Sequence, residues 1–176
     1  PHVGHQMVCH WLLEVNLADQ VWMLPCFKHP FGKEMVPFEQ RVEMCCLTTE
    51  SWGDRVQVCQ VEKELNGVSY TVETLEYLLA KYPLYQFSLI IGTDILAETD
   101  KWKDFDRIRK MVEVVEVHRG GEDYERFSAG PVFPRVSSTE IRAMLARQDK
   151  EASLFISSQV WDYIGRKDLY HSSKSE

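Results

Sequence analysis

Long apolar runs are missing from this chain. Hydrophobic residues make up 44% of it, but they come in short stretches broken by charge. That sets aside a membrane-spanning helix, which needs about 20 consecutive apolar residues. No segment near the start has the basic, apolar and small-residue order of a secretory signal. Metal-type cysteine spacing is missing too. The five cysteines (Cys9, Cys26, Cys45, Cys46, Cys59) are an odd number, and the adjacent Cys45 and Cys46 cannot make a C-x-x-C site. Reduced thiols in a cytoplasmic protein are the expectation. Positive charge is short: 20 Lys and Arg face 27 Asp and Glu, for a net charge of −7. Such a chain has no general field for nucleic acid, so neither nucleic acid nor a membrane is expected as a partner. A phosphate ligand would have to be held by a local cluster of donors. Repeats and low-complexity tracts are also lacking. The 176 residues are therefore expected to form one domain, with room for a proper core.

What is present is an alternation of short strands and amphipathic helices. Val8, Trp11, Leu12 and Val15 fall at i, i+3, i+4 and i+7, which predicts a helix over 5–15. Residues 20–24 read as a short buried strand, followed over 25–37 by a loop holding two lysines, a histidine and a glycine. Pro37 suits the first turn of a helix that carries Val42, Cys45 and Cys46. Residues 55–61 are strand-like. Leu75, Leu78, Leu79 and Tyr82 mark a helix opened by Thr71 or Thr74. Residues 87–91 form a clear strand ending in Gly92-Thr93-Asp94, and 111–117 form another. The stretch 118–134, rich in Gly, Glu and Pro, reads as a mobile loop with one short strand. Ile141, Met144 and Leu145 place a helix after it, and Val160, Tyr163 and Ile164 a last one. The pattern predicts an α/β fold with a mostly parallel sheet and helices on both faces. Ligands in such folds bind beyond the carboxyl ends of the strands, so the segments after Leu24, Ile91 and Val117 should line the site.

Three groups of residues carry chemistry. His2-Val3-Gly4-His5 puts two imidazoles around a glycine at the mouth of a helix. Unpaired N–H groups and partial positive charge at a helix start attract anions, and glycine lets a phosphate approach the backbone. Imidazoles add donors that can follow charge as it moves. No third or fourth ligand stands at a spacing suited to zinc, so no metal residues are assigned. The second group is Val136-Ser137-Ser138-Thr139-Glu140-Ile141-Arg142. Ser137 with Glu140 is a helix-capping box, but a cap needs one hydroxyl. Three hydroxyls with Arg142 one turn inside make a cradle for a polyphosphate as well. The third is a positive cluster, Lys28, His29, Lys33 and Arg41, partly in a loop that follows a strand end. Trp102, in Asp100-Lys101-Trp102-Lys103, has charged neighbours on both sides, which points to a partly exposed ring.

Taken together, these motifs resemble the nucleotidyltransferase superfamily, with H-x-G-H near the start and S-S-T-x-I-R near the end. Within it the chain is similar to the bacterial nicotinate-nucleotide adenylyltransferases, through Tyr70-Thr71-Val72-Glu73-Thr74-Leu75, Ile91-Gly92-Thr93-Asp94, Trp102, and the tail Val160, Tyr163, Ile164, Leu169 and Tyr170. The resemblance spans nearly the whole chain and implies a Rossmann-like fold. It implies that His2 and His5 contact the phosphates of ATP, with His5 nearest the α-phosphate, and that Ser137, Ser138, Thr139 and Arg142 hold the outer phosphates. Gly92 and Asp94 would lie against the nucleotide sugar. Thr74, Trp102 and Lys103 would frame the pyridine ring, with backbone near Trp102 facing its carboxylate. Lys33 or Lys28 would reach the phosphates.

The implied reaction joins nicotinate mononucleotide to the AMP half of ATP and releases pyrophosphate, with Mg²⁺ on the ATP phosphates. His5, His2 and Arg142 would carry the catalysis. In that family a strand and a Gly-Gly-x-Phe-x-Pro turn precede the first histidine, and the present sequence starts after them. Its loop reads Pro30-Phe31-Gly32-Lys33 where Pro-Pro-His-Lys is usual. Phosphopantetheine and nicotinamide mononucleotide adenylyltransferases, and a nucleotide-binding module without turnover, remain as alternatives. A homo-oligomer is compatible with the sequence.

Overall fold

Every strand pairing in the computed structural model is parallel, and each strand is followed in the chain by helical residues or lies in a crossover pattern with them. The structure describes residues 1–120 and 131–170. The chain divides into two compact units, one made of Pro1–Pro25, Glu34–Cys59 and Arg135–Glu176, the other of Cys26–Lys33 and Gln60–Pro134. Among the described residues, no helix is long and apolar enough to cross a membrane.

In the first unit, helix α1 (Val3–Glu14) buries Gly4, Cys9, Leu12 and Leu13 on one face. Leu12 and Leu13 are each 2% exposed, and burying a leucine side chain is worth roughly 1.5–3 kcal/mol. The helix starts two residues earlier than the apolar period alone suggests, because that period cannot register Val3 and Gly4. Strands β1 (Val21–Met23) and β2 (Val56–Val58) pair in parallel, Val21 with Val56 and Met23 with Val58. Both are shorter than expected from 20–24 and 55–61. Arg55 ends a 3₁₀ segment, Glu50–Arg55, and Val61 opens a helix of the other unit. Helix α2 (Phe38–Thr49) begins just after Pro37, where the missing proline N–H would have no intrahelical partner.

The rest of this unit is helix α7 (Ser138–Ala146) and helix α8 (Ser158–Lys167), with a 3₁₀ segment, Lys150–Leu154, between them in sequence. Ile141 and Leu145 of α7 pack with Val160, Tyr163 and Ile164 of α8 and Met44 of α2 in one core. A second core joins Cys9 and Leu13 of α1 to Val56 of β2. No disulfide joins the five cysteines, and burial pushes the Cys9 thiol up to about 11.

In the second unit, helix α3 (Val61–Leu65) and helix α4 (Thr71–Lys81) precede strand β3 (Ser88–Gly92). A short helix α5 (Thr93–Leu96) follows the strand at once. Helix α6 (Phe105–Met111) then leads to strand β4 (Glu113–Arg119), and β5 (Val132–Phe133) completes a sheet of order β3-β4-β5. Two expectations are corrected here. Met111 belongs to α6 and not to a strand, because Ile108, Met111 and Val112 turn one apolar stripe toward Val72 and Leu75. His118 and Arg119 extend β4 and do not open a loop, since their backbones pair with Val132 and Phe133. The one short strand expected in 118–134 is β5, while the remainder of that expected loop, 121–130, lies outside the described residues. The α/β class and the parallel pairing are as expected.

Candidate active site

The first unit holds the two helix starts that the motifs marked. His2 is the N-cap of α1, with extended backbone, and is 4% exposed. Its backbone N–H donates to His5 Nδ1 at 3.2 Å, and the two ring centroids are 3.9 Å apart. Nδ1 of His5 therefore offers a lone pair, and the proton of the neutral ring sits on Nε2. Gly4 is what lets the His2 ring fold back. A Cβ at this position would stand 3.0 Å from Cε1 and Nδ1 of that ring. The same Cβ would lie 3.8 Å from Val136 Cβ, which brings the H-x-G-H turn against the residue that precedes the serine pair. The backbone N–H of Val3 is anchored separately, on the Phe155 carbonyl at 2.8 Å.

Ser137 caps α7. Its Oγ accepts from the backbone N–H of Thr139 at 3.2 Å and of Glu140 at 3.4 Å. The cap thus employs Ser137, while Ser138 and Thr139 remain exposed at the helix start. Arg142 donates from its guanidinium to Thr139 Oγ1 at 3.1 Å, so the fork is held beside those hydroxyls. Tyr170, quoted above only as part of the tail, belongs to this neighbourhood. Burial pushes its phenol up, and the nearby Arg142 and Arg41 guanidiniums pull it back down. Arg41 donates to the Val36 carbonyl at 2.9 Å. It lies in the first unit, whereas Lys28, His29 and Lys33 lie in the second.

In the second unit, Gly92 ends β3 and Asp94 stands in the first turn of α5. The Asp94 carboxylate pairs with Arg119 of β4 at 3.1 Å. A side chain at Gly92 would collide with that carboxylate and stand 3.3 Å from Arg119 Nε. Arg119 was not singled out from the sequence, although its position just past Val117 was a signal. Trp102 is half-buried, edge-on to Phe105 with centroids 5.6 Å apart, and packs on the cluster of Val72, Leu75 and Ile108. Its partly exposed ring is as expected.

Thr74 is 3% exposed, and its hydroxyl donates to the Tyr70 carbonyl at 3.3 Å, with the Glu62 carboxylate at 3.5 Å. Lys103 pairs with Glu73 at 2.5 Å. Lys33 is exposed, and its ammonium, after burial, helps hold the His29 imidazole below its usual value. The loop before it is clamped by residues that sequence reasoning missed. The Phe27 N–H reaches Glu62 at 2.9 Å and Ser69 Oγ at 3.0 Å, and the Lys28 N–H reaches Ser69 Oγ at 3.1 Å.

Comparison with known proteins now adds lineage to this geometry. Residues 1–144 match the family model described as cytidylyltransferase-like. A protein of Anaeromyxobacter dehalogenans (strain 2CP-C), named "Probable nicotinate-nucleotide adenylyltransferase", is 44% identical over 173 residues, covering 97% of this chain and 90% of the relative. The chain belongs to the cytidylyltransferase-like family, in its nicotinate-nucleotide adenylyltransferase branch. A Myxococcus xanthus relative of the same name is 40% identical over 157 residues, covering 88% and 80% of the two chains. The fold of this nucleotidyltransferase is also that of a Plasmodium falciparum nicotinic acid mononucleotide adenylyltransferase solved with NaAD. The TM-score is 0.80 at 18% identity, covering 96% of this chain and 91% of the other.

Proposed function

We propose that this protein transfers the AMP moiety of ATP to nicotinate mononucleotide, forming nicotinate adenine dinucleotide and pyrophosphate. The observation that carries the reading is the meeting of two helix N-termini within one unit, Gly4 against Val136, one bearing His2 and His5 and the other Ser138, Thr139 and Arg142. Backbone N–H groups, hydroxyls, an imidazole N–H and a guanidinium all donate, and all suit phosphate oxygens. The 44% identity to a relative of that name supports the same choice.

In this reading the 5′-phosphate of the acceptor attacks the α-phosphorus of ATP in line. The new P–O bond forms as the bond to the β-phosphate oxygen breaks, and pyrophosphate leaves. A phosphate is already a competent nucleophile, so the chain needs no general base. Its task is orientation and stabilisation of charge. Nε2–H of His5 donates to the α-phosphate oxygen as negative charge gathers there. The α7 N-terminus, Ser138, Thr139 and Arg142 hold the departing phosphates. The resemblance in sequence assigns Gly92 and Asp94 of the second unit to the nucleotide sugar, Thr74, Trp102 and Lys103 to the pyridine, and Lys33 to a phosphate.

Mg²⁺ when bound would neutralise the ATP phosphates. The donors gathered here fit phosphate oxygens, so the ion would come with the nucleotide and keep mainly water ligands. The groups that would hold that nucleotide are His5, Ser138, Thr139 and Arg142. A cytoplasmic location, where ATP is supplied, fits this reading. Pyrophosphate release measured with ATP and each of nicotinate mononucleotide, nicotinamide mononucleotide and phosphopantetheine tests it. The first acceptor should give the highest kcat/KM. Higher turnover with another would reassign the acceptor, and release with none would leave a binding module.

A further inference from the structure

Lys103 and Glu73 are 30 residues apart in sequence, yet the Lys103 Nζ stands 2.5 Å from Glu73 Oε1. The same ammonium lies over the Tyr70 ring, 4.6 Å from its centroid. The pair is open to solvent: the two side chains are 50% and 45% exposed. Its members are the chain neighbours of Trp102 and Thr74, which with Lys103 itself are expected to frame the pyridine.

Two neutral donors at those positions are already engaged. The Trp102 N–H donates to the Thr99 carbonyl at 3.1 Å, closing a 3₁₀ turn. The Thr74 hydroxyl is buried on the Tyr70 carbonyl. An ammonium has three N–H donors, and Glu73 and the Tyr70 ring engage two. The hydrogen bond that Lys103 donates to Glu73, above all, holds the Lys103 pKa above its usual value, so the ammonium stays charged at neutral pH.

We infer that Lys103 and Glu73 form a tuning pair that sets how strongly this enzyme prefers a pyridine carrying a carboxylate over one carrying an amide. The inference rests on the proposed acceptor site. A ring carboxylate gains from Lys103 but competes with Glu73 for it. A neutral amide is nearly indifferent to either charge. Lys103 therefore raises the preference for the acid, and Glu73 restrains it.

The two members must act with opposite sign, which a merely structural ion pair would not do. The test is kcat/KM for nicotinate mononucleotide and for nicotinamide mononucleotide in the unsubstituted protein and in Lys103→Met, Glu73→Gln and Lys103→Arg. The acid-to-amide ratio should fall about tenfold in Lys103→Met and rise about threefold in Glu73→Gln, as expected for exposed charges. Lys103→Arg should keep the ratio within about twofold, and salt should compress all the differences. Shifts of the same sign in Lys103→Met and Glu73→Gln, or no shift, would overturn the inference while AMP transfer stands. Transfer to neither acceptor by the unsubstituted protein would overturn the functional reading, and the tuning pair with it.

Discussion

The two units hold their candidate groups by different means. In the first, the candidate groups are tied to helix starts by short-range bonds: His2 to His5, Ser137 to Thr139 and Glu140, Arg142 to Thr139. Each bond spans two or three residues, and the elements that carry them are packed into buried cores. In the second, the candidate groups are half-exposed ion pairs between distant segments, Asp94 with Arg119 and Glu73 with Lys103. The first arrangement is rigid, since a helix N-terminus cannot move without its helix. The second is adjustable, because water screens it and either partner can be exchanged. Preorganised donors suit a charge that develops only during reaction, whereas exposed pairs suit selection among ground-state ligands.

Four substitutions would break or sharpen this contrast. His5→Ala removes the donor proposed for the α-phosphate, and turnover should drop roughly 10²–10⁴-fold with little change in ATP affinity. Near-normal kcat in a steady-state assay would remove His5 from the chemistry. Gly4→Ala tests the rigid unit without deleting a donor. Its methyl would meet the His2 ring at 3.0 Å, and a misplacement of that kind should cost up to about 10²-fold in kcat. Folding, followed by circular dichroism, should survive; unchanged kinetics would mean that the His2 ring position is irrelevant.

Arg142→Lys keeps the charge but loses the planar fork. We expect about a tenfold fall in kcat/KM for ATP, because a point charge cannot make paired bonds to phosphate oxygens. Survival of both rate and affinity would make Arg142 an ordinary helix arginine. Arg119→Met should have the smallest effect, about a twofold to fivefold rise in KM for ATP, shrinking as salt is added. A loss as large as that of His5→Ala would erase the contrast between the two units.

These differences also explain what could be read before the structure. Ser137 as a cap, a first helix read from His5, and the parallel α/β pattern were legible because each depends on neighbours a few residues apart. Trp102 was legible as a partly exposed ring from its charged flanks. Arg119, Glu73, Glu62 and Ser69 were not, because their partners lie 25 to 42 residues away. Helix α6 was hidden for another reason: seven residues with four charges leave only a single apolar stripe, too short for the period to stand out.

The sequence by itself determined the family of this protein and its local motifs, because capping, periodicity and spacing act within one or two turns of chain. Tertiary structure alone decided that Gly4 abuts Val136, that Asp94 answers to Arg119, and that Lys103 shares its charge with Glu73. Those contacts depend on how strands stack and helices pack over tens of residues. The resulting closeness of groups has no local signature along the chain.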